Sequence, residues 1–339
     1  MLAYLNSRLI DKYKVIALVH SASLVSEYKN IEYIEFHDSI KSYFLRIYYE
    51  YFYFKKLSKQ IKPYLWFYLH DMTPNVKATV RAVYCHNPTP FYKTKILDFF
   101  KDPKVYLFSK FYKYLYAVNI KRNNYVIVQQ EWIGNEFKNI YSVDNIVVTK
   151  PQVPNVLLSA NKGKEKKHLF FYPSFPRSFK NFEIICEATK ILNNKGINDF
   201  KVVLTIDGSE NNYAKKIVDE YKNIASINFV GLLSREEVFK YYSLTNTLIF
   251  PSKLETWGLP ISEFQTTRKP ILVADLPYAY ETVGNYEKVI FFDPYNAENL
   301  ALLMHESLEG KITYSANKTQ PSNNLRAENW EDLFSILLN

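Results

Sequence analysis

Two glutamates stand eight residues apart in the segment PSKLETWGLPISEF, residues 251–264. A buried strand is predicted over residues 248–250, the Gly-Leu-Pro sequence indicates a turn, and a helix is expected to begin near Pro260. Carboxylates accept hydrogen bonds from hydroxyl groups, and the unbonded N–H groups of a first helical turn can hold phosphate oxygens. Glu255 and Glu263 around such a turn therefore favour a sugar-nucleotide site. The alternative is that Glu263 has no functional role and simply occupies the first turn of a core helix, where acids are common.

The surrounding stretch contains an ordered series of motifs over residues 229–284: FVGLLSREEVFKYYSLTNTLIFPSKLETWGLPISEFQTTRKPILVADLPYAYETVG. This series resembles the C-terminal domain of retaining glycosyltransferases of family 4, and the resemblance extends over about residues 165 to 339. It implies an α/β chain of GT-B architecture, with two Rossmann-like domains whose parallel sheets face a central cleft. It also implies transfer of a sugar from a nucleotide-sugar donor with retention of anomeric configuration.

The resemblance assigns roles to the two glutamates of the motif. Glu263 matches the glutamate that binds the ribose hydroxyls of the donor, and Glu255 matches the one that faces the donor sugar. Gly258 and Leu259 are expected to bring backbone N–H groups to the diphosphate, since glycine has no side chain to block the approach.

Two cations are predicted to bind the diphosphate. Lys180 in FPRSFKNFE precedes a predicted helix, so its ammonium could neutralise a leaving group whose charge grows in the transition state. The resembled family has a lysine there and usually an arginine five residues earlier. This chain has Phe175 at that point, and its nearest arginine is Arg177, three residues before Lys180. A solvated loop is the alternative role for both cations.

Histidine supplies the candidate from the first half of the chain. His86 in VYCHNPTPF ends a predicted strand, where the resembled family commonly has a histidine that touches the donor sugar. We therefore place His86 with Glu255 and Lys180 as catalytic candidates, with a purely structural role as its alternative. His70 and Asp71 end the neighbouring strand, and a capping or core role is expected for them.

A chain of 339 residues is long enough for two domains. The pattern of strands and helices predicts an N-terminal Rossmann-like domain over residues 1–155 and a nucleotide-sugar domain over residues 156–328. A closing helix over residues 329–339 is expected to pack back on the first domain, as in the resembled family. The proline- and lysine-rich stretch 149–168 reads as the linker between the domains.

Cysteine use and the N-terminal segment bear on the location of the protein. The two cysteines, Cys85 and Cys186, lie in apolar runs and are expected to be small buried hydrophobes, which fits a reducing cytoplasm. No secretory signal and no run of about 18 apolar residues is visible in the sequence.

The net excess of positive charge lies entirely in the first half. Residues 1–150 contain 22 Lys+Arg and 12 Asp+Glu, a net of +10, whereas residues 151–339 contain 21 and 22, a net of −1. Much of the excess is interleaved with aromatic residues over 40–68 and 101–122. Such a composition suits anionic lipid headgroups, and peripheral contact with the cytoplasmic membrane face is one prediction. Core helices with a solvated lysine face are the alternative, and nucleic acid is disfavoured because no binding signature for it is present.

The start of the chain lacks one expected element. The resembled family opens with a strand and a glycine-rich loop, whereas MLAYLNSRLIDKYKVIALV reads as the end of a first helix followed by the second strand, and no glycine precedes Gly134. We expect that the first strand is missing, and that the N-terminal sheet therefore has unpaired edges.

No metal site and no cofactor are predicted. The sequence has no Asp-x-Asp pair, no zinc-type His/Cys spacing, no P-loop and no serine nucleophile elbow. The predicted acceptor is a glycan, carried on a lipid, in bacterial surface polysaccharide synthesis such as lipopolysaccharide O-antigen or capsule. Two alternatives stay open: a sugar-nucleotide 2-epimerase of the same fold, and a truncated, inactive member that binds nucleotide or a partner.

Overall fold

The structure is a computed structural model and describes residues 1–25, 28–94, 96, 98–152, 167–317 and 324–339. Contacts divide the chain into two compact units. Unit 1 comprises residues 1–87, 114–150 and 323–339, and unit 2 comprises residues 88–113 and 151–322.

The strands of the described residues are short, and their order along the chain alternates with helices. They are β1 (Ile16–Val19), β2 (Glu32–Glu35), β3 (Leu65–Tyr68), β4 (Val80–Cys85), β5 (Tyr125–Val128), β6 (Ile146–Thr149), β7 (His168–Tyr172), β8 (Phe200–Leu204), β9 (Ile227–Phe229), β10 (Thr247–Phe250), β11 (Ile271–Ala274), β12 (Val289–Phe292) and β13 (Leu325–Ala327).

The helices are α1 (Leu2–Tyr4), α2 (Tyr43–Tyr48), α3 (Phe54–Ile61), α4 (Asp98–Lys101), α5 (Pro103–Ala117), α6 (Glu131–Tyr141), α7 (Phe182–Asn194), α8 (Asn212–Tyr221), α9 (Arg235–Leu244), α10 (Leu259–Gln265), α11 (Pro277–Val283), α12 (Ala297–Leu308) and α13 (Trp330–Leu338). Two π-helical segments, Leu5–Leu9 and Tyr49–Tyr53, continue α1 and α2.

Unit 2 is built on a six-stranded sheet in the order β12-β11-β10-β7-β8-β9, and every pairing in it is parallel. Its strands are nearly continuous apolar runs, and β10 and β11 are buried at every residue. Strands of this composition need cover on both faces, which crossover helices supply. Helix α7 contributes buried Ile185, Cys186 and Ala188 to that cover.

Unit 1 contains a five-stranded parallel sheet in the order β13-β6-β5-β4-β3. Helix α13 packs on it within the same unit, where Leu333 and Leu337 join Ala82, Ile127 and Val147 in one apolar cluster. The division differs in two places from the boundaries drawn on the sequence. Residues 88–113 group with unit 2, and the residues just before α13 form β13, because Leu325–Ala327 pair with β6.

Strands β1 and β2 form a separate two-stranded parallel sheet, and the described residues supply no further strand to it. Leu18 and Ile34 of this pair nevertheless pack with Phe54 and Trp66 in one apolar cluster of unit 1. The missing first strand stays a prediction. The predicted linker, residues 149–168, lies mostly outside the described residues.

The two aromatic, basic segments are only partly core. In α5, Val105, Tyr112 and Tyr116 are buried, but Phe111 and Tyr114 are exposed. The cysteines follow the prediction: Cys85 and Cys186 are both free and buried, and burial raises the pKa of each thiol.

Candidate active site

The predicted site residues of unit 2 lie beside the carboxyl ends of two neighbouring strands. Strand β7 leads through a short turn, Ser178–Lys180, into α7, and β10 leads through residues 251–258 into α10. Because β7 and β10 pair in parallel, both connections start at the same edge of the sheet. Ligands of doubly wound sheets bind at this edge.

Lys180 and Glu255 form an ion pair across this edge. The Lys180 Nζ atom lies 2.5 Å from Glu255 Oε1, and the two side chains are only 18% and 11% exposed. The lysine ammonium also lies 5.6 Å from the centre of the Phe179 ring. The structure therefore brings together two of the three catalytic candidates, each as the other's counter-charge.

Buried hydrogen bonds fix the backbone that carries Lys180. The Tyr172 hydroxyl donates to the Lys180 carbonyl oxygen at 2.9 Å, and the Lys253 N–H donates to the Phe179 carbonyl oxygen at 2.7 Å. The Asn181 amide donates to the carbonyl oxygens of Pro251, at 3.2 Å, and Pro294, at 2.8 Å. Burial, together with the charge of Glu255, raises the pKa of Tyr172, so this phenol stays a neutral donor. The loops bearing Lys180 and Glu255 are thus bonded to each other.

The loop before α10 has its own supports. The Tyr278 hydroxyl donates to the Ser252 carbonyl oxygen at 2.7 Å, and the Ser252 hydroxyl donates to the Leu254 carbonyl oxygen at 2.9 Å. Farther along, the Thr282 hydroxyl donates to the Trp257 carbonyl oxygen. These bonds run from α11 and from the loop itself to the residues that flank Glu255, so the carboxylate is held on a rigid support.

Glu263 is held by helix α9. The Arg235 Nη2 atom lies 2.9 Å from Glu263 Oε1, and the Tyr242 hydroxyl donates to Glu263 Oε2 at 3.2 Å. Glu263 is 10% exposed and Arg235 58% exposed, whereas Tyr242 is fully buried. Burial, followed by the charge of Glu263, raises the pKa of Tyr242. The carboxylate keeps acceptor capacity beyond these two bonds, since its oxygens offer about four lone-pair sites.

Sequence reasoning did not select Arg235 or Tyr242. They are seven residues apart, two turns of helix, and therefore share a face of α9. Ser234 begins this helix with a capping box, in which its hydroxyl accepts from the Glu237 N–H and the Glu237 carboxylate accepts from the Ser234 N–H. That start sets Arg235 as the first helical residue. The spacing was visible in SREEVFKYY, but only the fold shows that this face points at Glu263.

A cavity of about 260 Å³ lies beside Glu263. Its walls are mainly apolar, with a few polar groups between them, as is typical of ligand sites. It is lined by Pro173, Ser174, Phe175, Thr205, Leu232, Leu233, Arg235, Val238, Tyr242, Pro260 and Glu263.

Gly258 and Leu259 stand at the start of α10. Gly258 has φ 86°, in the left-handed region that favours glycine, and a Cβ atom there would lie 3.2 Å from Ile261 Cδ1. Leu259 is exposed and is the first residue of the helix, with Pro260 second. The glycine therefore permits the sharp turn that separates the two glutamates.

Arg177 makes a different contact from Lys180. Its guanidinium lies 5.2 Å from the centre of the Phe175 ring, and both side chains are exposed. It is therefore beside the cavity wall and makes no ion pair within the described residues with either glutamate.

His86 lies in unit 1, directly after β4. Asp71 Oδ1 accepts from the backbone N–H groups of His86, at 2.7 Å, and Asn87, at 3.0 Å, and from the Tyr116 hydroxyl at 3.0 Å. The His86 Nδ1 atom is 3.5 Å from the same oxygen, and its side chain is half exposed. The buried Asp71 thus has the capping role expected for it, and it positions the backbone of His86.

The described residues contain no group of three or more His, Cys, Asp or Glu side chains that could hold a metal ion.

Comparison with known proteins starts with a family match. Residues 158–324 match the sequence model of the family Glycosyl transferases group 1. This segment contains the ion pairs of both glutamates and the cavity. This part of the chain is therefore similar to glycosyltransferases of this group.

The chain is also similar to the O-antigen chain mannosyltransferase RfbU of Salmonella typhimurium, with 22% identity over 213 residues. That alignment covers 60% of this chain and 55% of the relative, so the chain spans little more than half the length of this curated relative.

Among solved structures, a glycosyltransferase from Rickettsia africae superimposes with a TM-score of 0.62 at 18% identity, covering 90% of this chain and 82% of that one. Anabaena HepE in complex with UDP and glucose gives a TM-score of 0.51 at 14% identity, covering 68% and 62%. The predicted fold class, an α/β protein of the GT-B type with parallel sheets, is confirmed.

Proposed function

We propose that the protein is a glycosyltransferase that moves a sugar from a nucleotide-sugar donor to a glycan acceptor. The observation that carries this proposal is the pair of buried carboxylates, Glu255 and Glu263, each bonded to a cation at the carboxyl edge of one parallel sheet. The match of residues 158–324 to group 1 glycosyltransferases supports it.

The donor nucleoside occupies the cavity beside Glu263. The ribose hydroxyls donate to the remaining lone pairs of Glu263, while Arg235 and Tyr242 hold the carboxylate in place. The apolar walls, among them Leu232 and Pro260, cover the base and ribose. The UDP and glucose complex of the similar Anabaena protein agrees with a nucleotide-sugar ligand of this kind.

The diphosphate is bound by Lys180 and by the backbone N–H groups of Gly258 and Leu259. In the ligand-free protein Lys180 is engaged with Glu255, and an incoming diphosphate offers it a stronger anionic partner. Glu255 is then free to accept from a hydroxyl of the donor sugar or to stabilise positive charge at the anomeric carbon. Arg177, which lies next to the cavity wall, is a further candidate for the diphosphate.

The chemical step proceeds with retention. The acceptor hydroxyl oxygen bonds to the anomeric carbon from the side of the departing phosphate, the bond from that carbon to the phosphate oxygen breaks, and the hydroxyl proton passes to the leaving phosphate. Lys180 stabilises the charge that accumulates on the diphosphate. No metal ion is assigned to the reaction, because this cation supplies the counter-charge. His86 touches the donor sugar in this proposal.

The acceptor is a glycan on a lipid carrier, in the synthesis of a bacterial surface polysaccharide such as lipopolysaccharide O-antigen or capsule. Similarity to an O-antigen chain mannosyltransferase supports this direction. The enzyme would then work in the cytoplasm, in peripheral contact with the membrane. No helix of the described residues is long and apolar enough to cross a bilayer.

Thermal unfolding in the presence of UDP, GDP, ADP and CMP, free and with attached sugars, tests the donor site. We expect one base to raise Tm selectively, because a ligand stabilises the state that binds it. Glu263→Ala should abolish that shift, whereas the control variant Glu236→Ala, which removes an exposed acid of α9 outside the cavity lining, should keep it. Equal shifts in wild type and Glu263→Ala would refute the site.

Product analysis then separates the reactions. Transfer requires both donor and acceptor, whereas a modified nucleotide sugar formed without any acceptor would identify the 2-epimerase. Selective binding without turnover of any donor would identify the inactive member.

A further inference from the structure

Helical residues 43–61 carry large apolar side chains on their exposed side. Tyr43 is 72%, Phe44 86% and Phe52 66% exposed, and Ile47 and Tyr48 are exposed as well. We call the four aromatic side chains among them, Tyr43, Phe44, Tyr48 and Phe52, the aromatic ridge. The residues run without a break through α2, the π-helical segment Tyr49–Tyr53 and α3.

The ridge is one continuous stripe. Phe44, Tyr48 and Phe52 follow each other at intervals of four residues, which places them on one side of a helix. The Tyr48 and Phe52 rings stack with centres 6.2 Å apart. The opposite side of the same helical run is already used, because Phe54 and Leu57 pack with Phe36 and Trp66 in the core of unit 1. The ridge therefore lies outside that core.

Lysines continue the stripe where the aromatics end. Lys55 and Lys56 follow Phe52 by three and four residues, and Lys59 follows one turn later, all of them exposed. Within the part of the chain that the structure describes, these three lysines make no ion pair. Arg46, by contrast, is engaged with Glu50 at 2.8 Å. The exposed side thus combines apolar rings with uncompensated positive charge.

We propose that the aromatic ridge, together with Lys55, Lys56 and Lys59, docks the protein on a bilayer that contains anionic lipid. Aromatic rings partition to the boundary of headgroups and acyl chains, and lysines reach the phosphates along their own apolar stems. A second copy of the chain fits less well. In a symmetric dimer the same patch packs on its own copy, so its lysines would meet a surface of the same positive sign. Use of a lipid-linked acceptor rests on the proposed function, whereas lipid binding does not.

Flotation with vesicles tests the docking. We expect the purified chain to float with vesicles of phosphatidylcholine and phosphatidylglycerol, to bind phosphatidylcholine alone much more weakly, and to lose binding as salt is raised. Phe44→Ser/Tyr48→Ser/Phe52→Ser should lower the apparent affinity by at least about tenfold, since each ring loses its apolar burial. Each of Lys55→Gln, Lys56→Gln and Lys59→Gln should lower it about fivefold.

The matched control is Ile140→Ser/Leu302→Ser, which removes exposed apolar side chains outside the ridge and should leave flotation unchanged. Circular dichroism and thermal unfolding check that every variant is folded. Equal binding to neutral and anionic vesicles, or wild-type binding by the folded ridge variant, would overturn the proposal. So would a lipid-free dimer that the ridge variant converts to monomer, because the ridge would then be an interface between copies.

Activity separates this inference from the proposed function. The ridge variant should transfer sugar to a soluble glycan acceptor at the wild-type rate and lose transfer only to a lipid-linked one. Lipid binding by a wild-type protein that turns over no donor would leave the docking intact and refute the transferase.

Discussion

The two glutamates of the same motif are equally buried, yet their cations differ. Glu255 and Glu263 are 11% and 10% exposed, whereas Lys180 is 18% exposed and Arg235 is 58% exposed. Both partners of the Lys180–Glu255 pair are thus largely shielded from solvent, whereas the cation of the Arg235–Glu263 pair is more than half exposed. A buried pair loses its hydration on both sides and is costly to break, while a half-exposed cation can exchange its partner for water.

This difference in exposure suggests that the two ion pairs have different roles. Lys180 stands on a loop whose backbone is fixed by Tyr172 and Asn181, so the transfer of its charge from Glu255 to a bound diphosphate needs only a side-chain movement. Arg235 stands on the first turn of α9 and can adjust to the ligand without disturbing the loop. We therefore assign chemistry to the enclosed pair and donor affinity to the half-exposed one.

The largest expected effect is on turnover in Glu255→Gln. The amide keeps the shape of the side chain but removes the negative charge that we propose acts on the donor sugar, and we expect kcat to fall about 10³-fold. Nucleotide affinity, measured by the thermal shift, should change little. The opposite result, an unchanged kcat with weakened nucleotide binding, would show that Glu255 serves donor binding. The two glutamates would then not differ in role.

The second largest effect is expected on the stability of the Lys180→Met variant. Removal of the ammonium leaves Glu255 without its counter-charge in a largely buried place, and we expect about 2 kcal/mol less free energy of unfolding. Lys180→Met/Glu255→Gln should recover most of that loss and remain inactive. Chemical denaturation of the four proteins gives the coupling energy. Additive losses would mean that the pair does not stabilise the ligand-free protein.

The turn between the two glutamates can be tested by a substitution that leaves both glutamates in place. Gly258→Ala puts a Cβ atom on a left-handed residue and 3.2 Å from Ile261 Cδ1, so we expect a loss of about 1 to 2 kcal/mol in the free energy of unfolding. Gly196→Ala is the matched control, since its φ is also positive, at 77°, but its added Cβ meets nothing within 4 Å. The same loss in both variants would trace the cost to backbone conformation alone.

Much of this architecture could be read from the sequence. The strand predicted over residues 248–250 and the helix expected near Pro260 both appear in their places, as β10 and α10. These features depend on local periodicity and on turn residues, which short segments specify. The motif around Glu255 and Glu263 was visible for the same reason.

The partners of the glutamates were not visible. Arg235 and Tyr242 lie 28 and 21 residues before Glu263, and their contact with it depends on how α9 lies against the sheet. The same limit applies to the ends of the domains. Strand β13 pairs with β6 from a distant part of the chain, and a three-residue strand carries little periodicity of its own.

The smallest effect, and the sharpest test of the contrast, is expected in Arg235→Met. Because its guanidinium is half exposed, we expect less than about 1 kcal/mol of change in the free energy of unfolding. Nucleotide affinity should nevertheless fall about tenfold, since Glu263 loses the bond that orients it toward the ribose, while kcat at saturating donor stays close to wild type. Donor affinity of the wild type should also weaken with salt, and that dependence should flatten in the variant. Arg268→Met, which removes an arginine outside the cavity lining, serves as the control. A collapse of kcat in Arg235→Met would show that both pairs serve the chemical step.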